Sequence, residues 1–187
     1  MCITDILEML TDILHRLLQA ENLTAKKKMT CEHNQNMDVI PQILTNKSEE
    51  FCYIASRLKE YYGYEEVNLN LGCPSGTVVA KNRGSGFLAV PDELNRFFEE
   101  IFSRTDIRIS VKTRTGVENN ENWENILKIY NDYPISELII HPRCRKDGYG
   151  GKPNLEDFKK ALCATTETLT ASKIIMRLQR NFLQLIK

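Results

Sequence analysis

A thiol set on a turn is the group in this 187-residue chain best placed to do chemistry. Asn70-Leu71-Gly72-Cys73-Pro74 follows directly on the alternating run Val67-Asn68-Leu69. Cys73 therefore stands just past the end of an expected strand, where open and barrel α/β proteins carry their reactive side chains. The glycine allows a sharp turn, and the proline fixes φ and ends the ladder, so the cysteine projects from a rigid platform. Catalytic use of the thiol is one reading of the pentapeptide. A structural cysteine beside a Gly-x-Pro turn is the other, and the five residues alone leave both open.

Three further strands bring polar groups to the same place. Gln42 lies in the short run 39–44, Lys112 ends the alternating run 107–112 with Arg114 just beyond it, and His141 ends the run 137–141 with Arg143 just beyond it. With Asn70 and Cys73, four strands thus deliver functional-looking side chains to one rim, whereas ordinary loop polarity would scatter them over both ends. A lysine on an inward register, as at Lys112, needs an anionic or electron-rich partner. For Gln42 and His141 the plainer reading is a side chain satisfying local backbone groups.

The elements that must position these residues repeat one pattern. The strand at 39–44 is followed by a helix over 48–62 with Phe51, Ile54, Ala55, Leu58 and Tyr62 on one face. Strand 66–71 leads through a glycine-rich loop to a helix near 92–103, announced by Pro91 and an acidic first turn. Strand 107–112 precedes a turn at Gly116 and a helix near 122–132, and strand 137–141 precedes a helix beginning near Asn154. Four β-then-α units in succession predict a parallel sheet with right-handed crossovers. The ends differ. Residues 3–20 read as an apolar helix followed by a Lys26-Lys27-Lys28 linker, and the threonine-rich tail leads to a basic amphipathic helix over 174–186. Each either covers an exposed face of the sheet or binds a partner. The expected organisation is an N-terminal helix and linker over 1–30, a core over 31–165 and a C-terminal helix over 166–187.

Charge and composition narrow the function classes. With 25 basic and 25 acidic residues the formal charge is zero, which argues against binding nucleic acid or membrane non-specifically through the whole molecule and leaves room for a local basic patch. No apolar run approaches the ~20 residues of a membrane span, and acids interrupt the apolar N-terminus, unlike a secretory signal. A cytoplasmic location is expected. The six cysteines are scattered without a C-x-x-C pair, so neither a zinc site nor a disulfide framework is indicated.

Taken together, Asn68-Leu69-Asn70-Leu71-Gly72-Cys73-Pro74-Ser75, Lys81-Asn82-Arg83-Gly84-Ser85-Gly86, Val111-Lys112-Thr113-Arg114-Thr115-Gly116 and His141-Pro142-Arg143-Cys144-Arg145 with Tyr149-Gly150-Gly151 resemble, in order and spacing, the tRNA-dihydrouridine synthases. Pro41-Gln42-Ile43-Leu44 matches the preceding family strand, and the similarity runs from about residue 30 to about residue 160. The resemblance implies an FMN-dependent oxidoreductase on a (β/α)8 TIM-type barrel. In that family NADPH reduces the flavin, the reduced flavin passes hydride to C6 of a flipped-out tRNA uridine, and an acid protonates C5. Carried over by position, Cys73 matches the general acid, while Gln42, Asn70, Lys112 and His141 match flavin or substrate-pocket positions. Arg83, Arg114, Arg143 and Arg145 lie where RNA or phosphate would be met.

A whole barrel of this kind takes ~250 residues, and the four β/α units resemble the family's third to sixth. The fold expected is therefore a partial TIM-type barrel, truncated at both ends. Its open edges imply coverage by the terminal helices, self-association or a complementing chain. A non-catalytic remnant acting as an interaction or RNA-binding module is the alternative.

Overall fold

In Glu66–Leu71 every second residue is apolar, and that alternation sorts the sheet into two faces: Val67, Leu69 and Leu71 are fully buried, while Glu66, Asn68 and Asn70 share the opposite face. A computed structural model describes residues 39–164 and 174–176. Its strands are β1 (Gln42–Ile43), β2 (Glu66–Leu71), β3 (Arg108–Gly116), β4 (Leu138–Cys144) and β5 (Ile174–Met176), all parallel and in the order β1-β2-β3-β4-β5. Neighbouring strands that follow one another in sequence need right-handed crossovers, which put every connecting helix on one face of the sheet. This is the layering of an opened TIM-type barrel. The four expected strands are present, and a fifth joins them.

The helices are α1 (Ser48–Tyr62), α2 (Gly76–Val79), α3 (Pro91–Arg104), α4 (Trp123–Asn131) and α5 (Leu155–Cys163). α1 buries Phe51, Ile54, Ala55 and Leu58. Pro91 opens α3 with Asp92 and Glu93 in the first turn, and the helix buries Leu94, Phe97, Phe98 and Ile101. The Asn154 carboxamide caps α5 by accepting from the Glu156 and Asp157 amides at 3.1 and 3.3 Å. Between the helices and the sheet, Phe98 stands at the centre of an aromatic cluster with Phe97, Phe102, Tyr130 and Tyr133. The buried Tyr130 hydroxyl pairs with Thr113 Oγ1 at 2.9 Å, which satisfies this phenol inside the cluster.

Several expectations are corrected. β1 is only two residues long, where a strand over 39–44 was expected. β3 and β4 run on to Gly116 and Cys144, so Arg114 and Arg143 lie within the ladder and not in loops. Ile174–Met176, expected to open an amphipathic helix, instead pairs with Leu138–Ile140. An apolar β-branched start competes well for a sheet edge, which an isolated helical periodicity does not reveal. The expected helix at 3–20 and the remainder of 177–187 lie outside the described residues. Among the described residues no helix is long and apolar enough to cross a membrane.

Candidate active site

Parallel register carries the polar face of the sheet to the C-terminal ends of its strands. Gln42 pairs with Asn68 and Asn68 with Ser110, Asn70 with Lys112 and Lys112 with Ile139, and Arg114 with His141. Gln42, Asn70, Lys112 and His141 therefore share one face near one rim. Asn70 Nδ2 donates to Gln42 Oε1 at 2.7 Å, Gln42 Nε2 to Asn68 Oδ1 at 2.7 Å, and Asn68 Nδ2 to Ser110 Oγ at 3.0 Å. Asn68 and Ser110 are buried polar residues that sequence reasoning did not single out. Their signal was available: both occupy the inward register of alternating strands, where an apolar residue would otherwise serve.

The loop after β2 is held from several sides. Asn70 Oδ1 accepts from the amides of Gly72 and Cys73 at 3.0 and 2.9 Å, an Asx turn that folds the chain back beneath the cysteine. The Cys73 carbonyl accepts from the Ser85 amide at 3.1 Å and from Ser85 Oγ at 2.8 Å. Gly84 approaches with φ 56°, and a Cβ there would lie 2.8 Å from Cys73 Cβ and 2.9 Å from its carbonyl oxygen. Only glycine meets both the left-handed backbone and the close approach. The 81–86 motif thus buttresses the cysteine loop, and the half-exposed Cys73 side chain rises from a fixed base.

His141 sits midway along β4, 5% exposed. Arg143 Nη1 lies 2.7 Å from His141 Nε2, and Arg143 Nε donates to the Gly151 carbonyl at 2.6 Å. The Tyr149 ring stacks on the imidazole with centroids 5.8 Å apart. Burial first, then the charges of Arg114, Arg143 and Lys112, push the imidazole down to about 4. A guanidinium can only donate, so Nε2 is the acceptor and the neutral ring carries its proton on Nδ1. Stability should follow. The contribution of the neutral ring is present above about pH 6.5 and is lost as pH falls through about 4, because the unfolded chain takes up the proton in that window and the folded one does not. At about 1.4 kcal/mol per pH unit the loss is about 3 kcal/mol. An NMR titration, with the ring assigned by its disappearance in His141→Gln, should give a midpoint near 4. A midpoint at the ordinary imidazole value would refute this arrangement of charges.

The four arginines expected to face RNA are all engaged by their own chain. Arg83 donates to Asn46 Oδ1 at 3.2 Å and pairs with Glu50 at 3.4 Å. Arg145 reaches the Pro74 carbonyl at 3.4 Å and Glu118 at 3.3 Å. Arg114 is 1% exposed and donates to three main-chain carbonyls, those of Gly72, Cys144 and Gly148. Arg143 serves His141 and Gly151. Among the described residues no group of three or more His, Cys, Asp or Glu side chains could hold a metal.

A parallel β/α sheet that gathers a cysteine, a lysine, a neutral histidine and carboxamides at the C-terminal ends of its strands has the layout of a barrel-type enzyme site. The dihydrouridine synthase (Dus) family model matches residues 6–168, and the chain belongs to that family. It is 27% identical over 137 residues to tRNA-dihydrouridine synthase B of Pasteurella multocida, an alignment covering 73% of this chain and 41% of that protein. It is 26% identical over 138 residues to the tRNA-dihydrouridine(20/20a) synthase of Synechocystis, covering 71% and 40%. A Staphylococcus aureus protein named "Probable tRNA-dihydrouridine synthase" matches at 33% over 112 residues, covering 58% and 33%. The chain spans about two fifths of the length of the first two of these curated relatives.

Proposed function

We propose that this chain carries the flavin- and uridine-facing rim of a tRNA-dihydrouridine synthase, reducing uridine to 5,6-dihydrouridine in tRNA with FMN as cofactor and NADPH as reductant, in the cytoplasm. The observation that carries the reading is the common face shared by Gln42, Asn70, Lys112 and His141 beside the buttressed Cys73 loop. The donor set fits a flavin. Lys112 offers a half-buried cation, His141 a neutral N–H and Gln42 the second proton of a carboxamide whose first is bound to Asn68. These three would hold the ring, with the lysine charge balancing the negative charge of its reduced form. Bound FMN, once reduced by NADPH, supplies the hydride that uridine receives at C6.

The remaining chemistry belongs to the protein. Cys73 Sγ–H donates its proton to C5 as the C6–H bond forms, and the thiolate regains a proton from solvent. Asn70 sets the cysteine in place by holding its amide, and its Nδ2–H stays bound to Gln42. A tRNA uridine must leave its stack to reach this rim. The direct test incubates the full chain with FMN, NADPH and an unmodified tRNA transcript, and measures dihydrouridine by mass spectrometry of the digested RNA. Dihydrouridine that requires both cofactors is the expected result. Flavin reduced by NADPH in the presence of tRNA with no dihydrouridine formed would overturn the reading.

A further inference from the structure

We propose that Arg114 is a positioning residue for Cys73, an internal clamp that fastens the cysteine loop to the loop after β4, and that it does not contact RNA. The inference deepens the proposed function, since it assigns to this arginine the work of holding the proton donor. Its basis is the peptide unit joining Gly72 to Cys73. The N–H of that unit donates to Asn70 Oδ1 at 2.9 Å, and its carbonyl oxygen, that of Gly72, accepts from Arg114 Nε at 3.1 Å. The next peptide unit is held through the Cys73 carbonyl by Ser85. Both peptide planes flanking the Cys73 Cα are therefore pinned, which fixes the direction in which Cβ and Sγ leave the backbone.

The same guanidinium reaches across the sheet. Arg114 Nη1 donates to the Cys144 and Gly148 carbonyls, both at 3.0 Å, and the Tyr149 ring lies 5.3 Å from Arg114 Cζ. One planar group thus ties together two loops that lie more than seventy residues apart in sequence, with almost none of its surface left for a ligand. A buried guanidinium needs its donors satisfied, and carbonyl oxygens arranged on two sides match its fork. A lysine ammonium is a point donor and cannot hold all three carbonyls in one plane.

Alkylation of the cysteines reads the clamp directly and without cofactor. Iodoacetamide labelling of the full chain, with peptides mapped by mass spectrometry, gives the rate at Cys73 relative to the exposed Cys163 in the same molecules. Fluorescence of the buried Trp123 verifies that the molecules remain folded. In Arg114→Lys the Cys73-to-Cys163 ratio should rise at least about tenfold, the factor carried by a lost charge-assisted hydrogen bond. Arg114→Ala should behave likewise, and millimolar methylguanidinium should restore the parent ratio in it while methylammonium does not. A second measurement separates clamp from RNA contact: the salt dependence of tRNA binding should keep its slope in Arg114→Gln, whereas loss of a phosphate contact lowers it by about one. A slope lowered by that amount, or an Arg114→Lys chain with the parent alkylation ratio, would overturn the proposal. If the parent binds no tRNA, the dihydrouridine reading fails and the alkylation ratio alone decides the clamp.

Discussion

Cys73→Ala should abolish dihydrouridine formation almost completely while leaving reduction of the flavin by NADPH intact. The two half-reactions need different groups. Reducing the flavin requires the ring to be held and the nicotinamide to approach, and neither involves a proton donor on the uridine side. Reducing uridine requires protonation of C5 as hydride reaches C6, and a positioned general acid contributes about two to four orders of magnitude to such a step. The half-exposed Cys73 stands on a loop whose carbonyl and amide groups are held by Asn70, Ser85 and Arg114, so alanine removes the thiol and leaves the loop in place. Cys163→Ala, at an exposed position on α5, is the control and should act as the parent. Rapid-reaction spectroscopy of the flavin, first with NADPH and then with tRNA, separates the two steps. Uridine reduction at the parent rate in Cys73→Ala would remove the thiol from the mechanism.

Phe98→Ala should be among the most destabilising single changes in the core. The ring is fully buried and meets Tyr130 edge-on at 5.8 Å, Tyr133 stacked at 5.4 Å, Phe102 stacked at 5.9 Å and Phe97 edge-on at 6.1 Å. Truncation loses the transfer energy of the ring and leaves a cavity that four surrounding aromatics cannot close without leaving their rotamers. The cost is about 3–5 kcal/mol. In a chain of this size each kcal/mol lowers the melting temperature by about 2–4 °C, so a fall of about 6–20 °C is expected by calorimetry or circular dichroism. Phe102→Ala, at the partly exposed margin of the same cluster, should cost less. A shift below about 2 °C for Phe98→Ala would show that the core repacks freely.

Strand β2 was legible because its period is two: Val67, Leu69 and Leu71 alternate with Asn68 and Asn70, and no helix tolerates that pattern on one face. Helix α3 was legible from Pro91 and its acidic first turn. β5 was not, because three apolar residues at the head of a periodic tail fit a helix as readily as a strand, and only the waiting edge of β4 decides between them. The family motifs likewise pointed to the cysteine loop and the rim residues without contact information.

Local chemistry therefore determined, from the chain alone, that four strands end in polar side chains, that they run parallel and that a thiol follows the second. Tertiary structure decided what those side chains do. Arg114 reads from the sequence as a rim cation beside Lys112, yet the ladder carries it inward until its nearest partners are the carbonyls of two distant loops. Arg143 reads as a phosphate ligand and is turned onto His141. Arg83 reads the same way and pairs with Asn46 on the loop after β1 and with Glu50 in the first turn of α1. For Arg114 and Arg83, whose partners lie 30 to 42 residues away, the physical reason is the same. Whether an arginine meets solvent or its own backbone depends on which loops the sheet brings within reach of a long side chain, and that proximity is long-range in sequence.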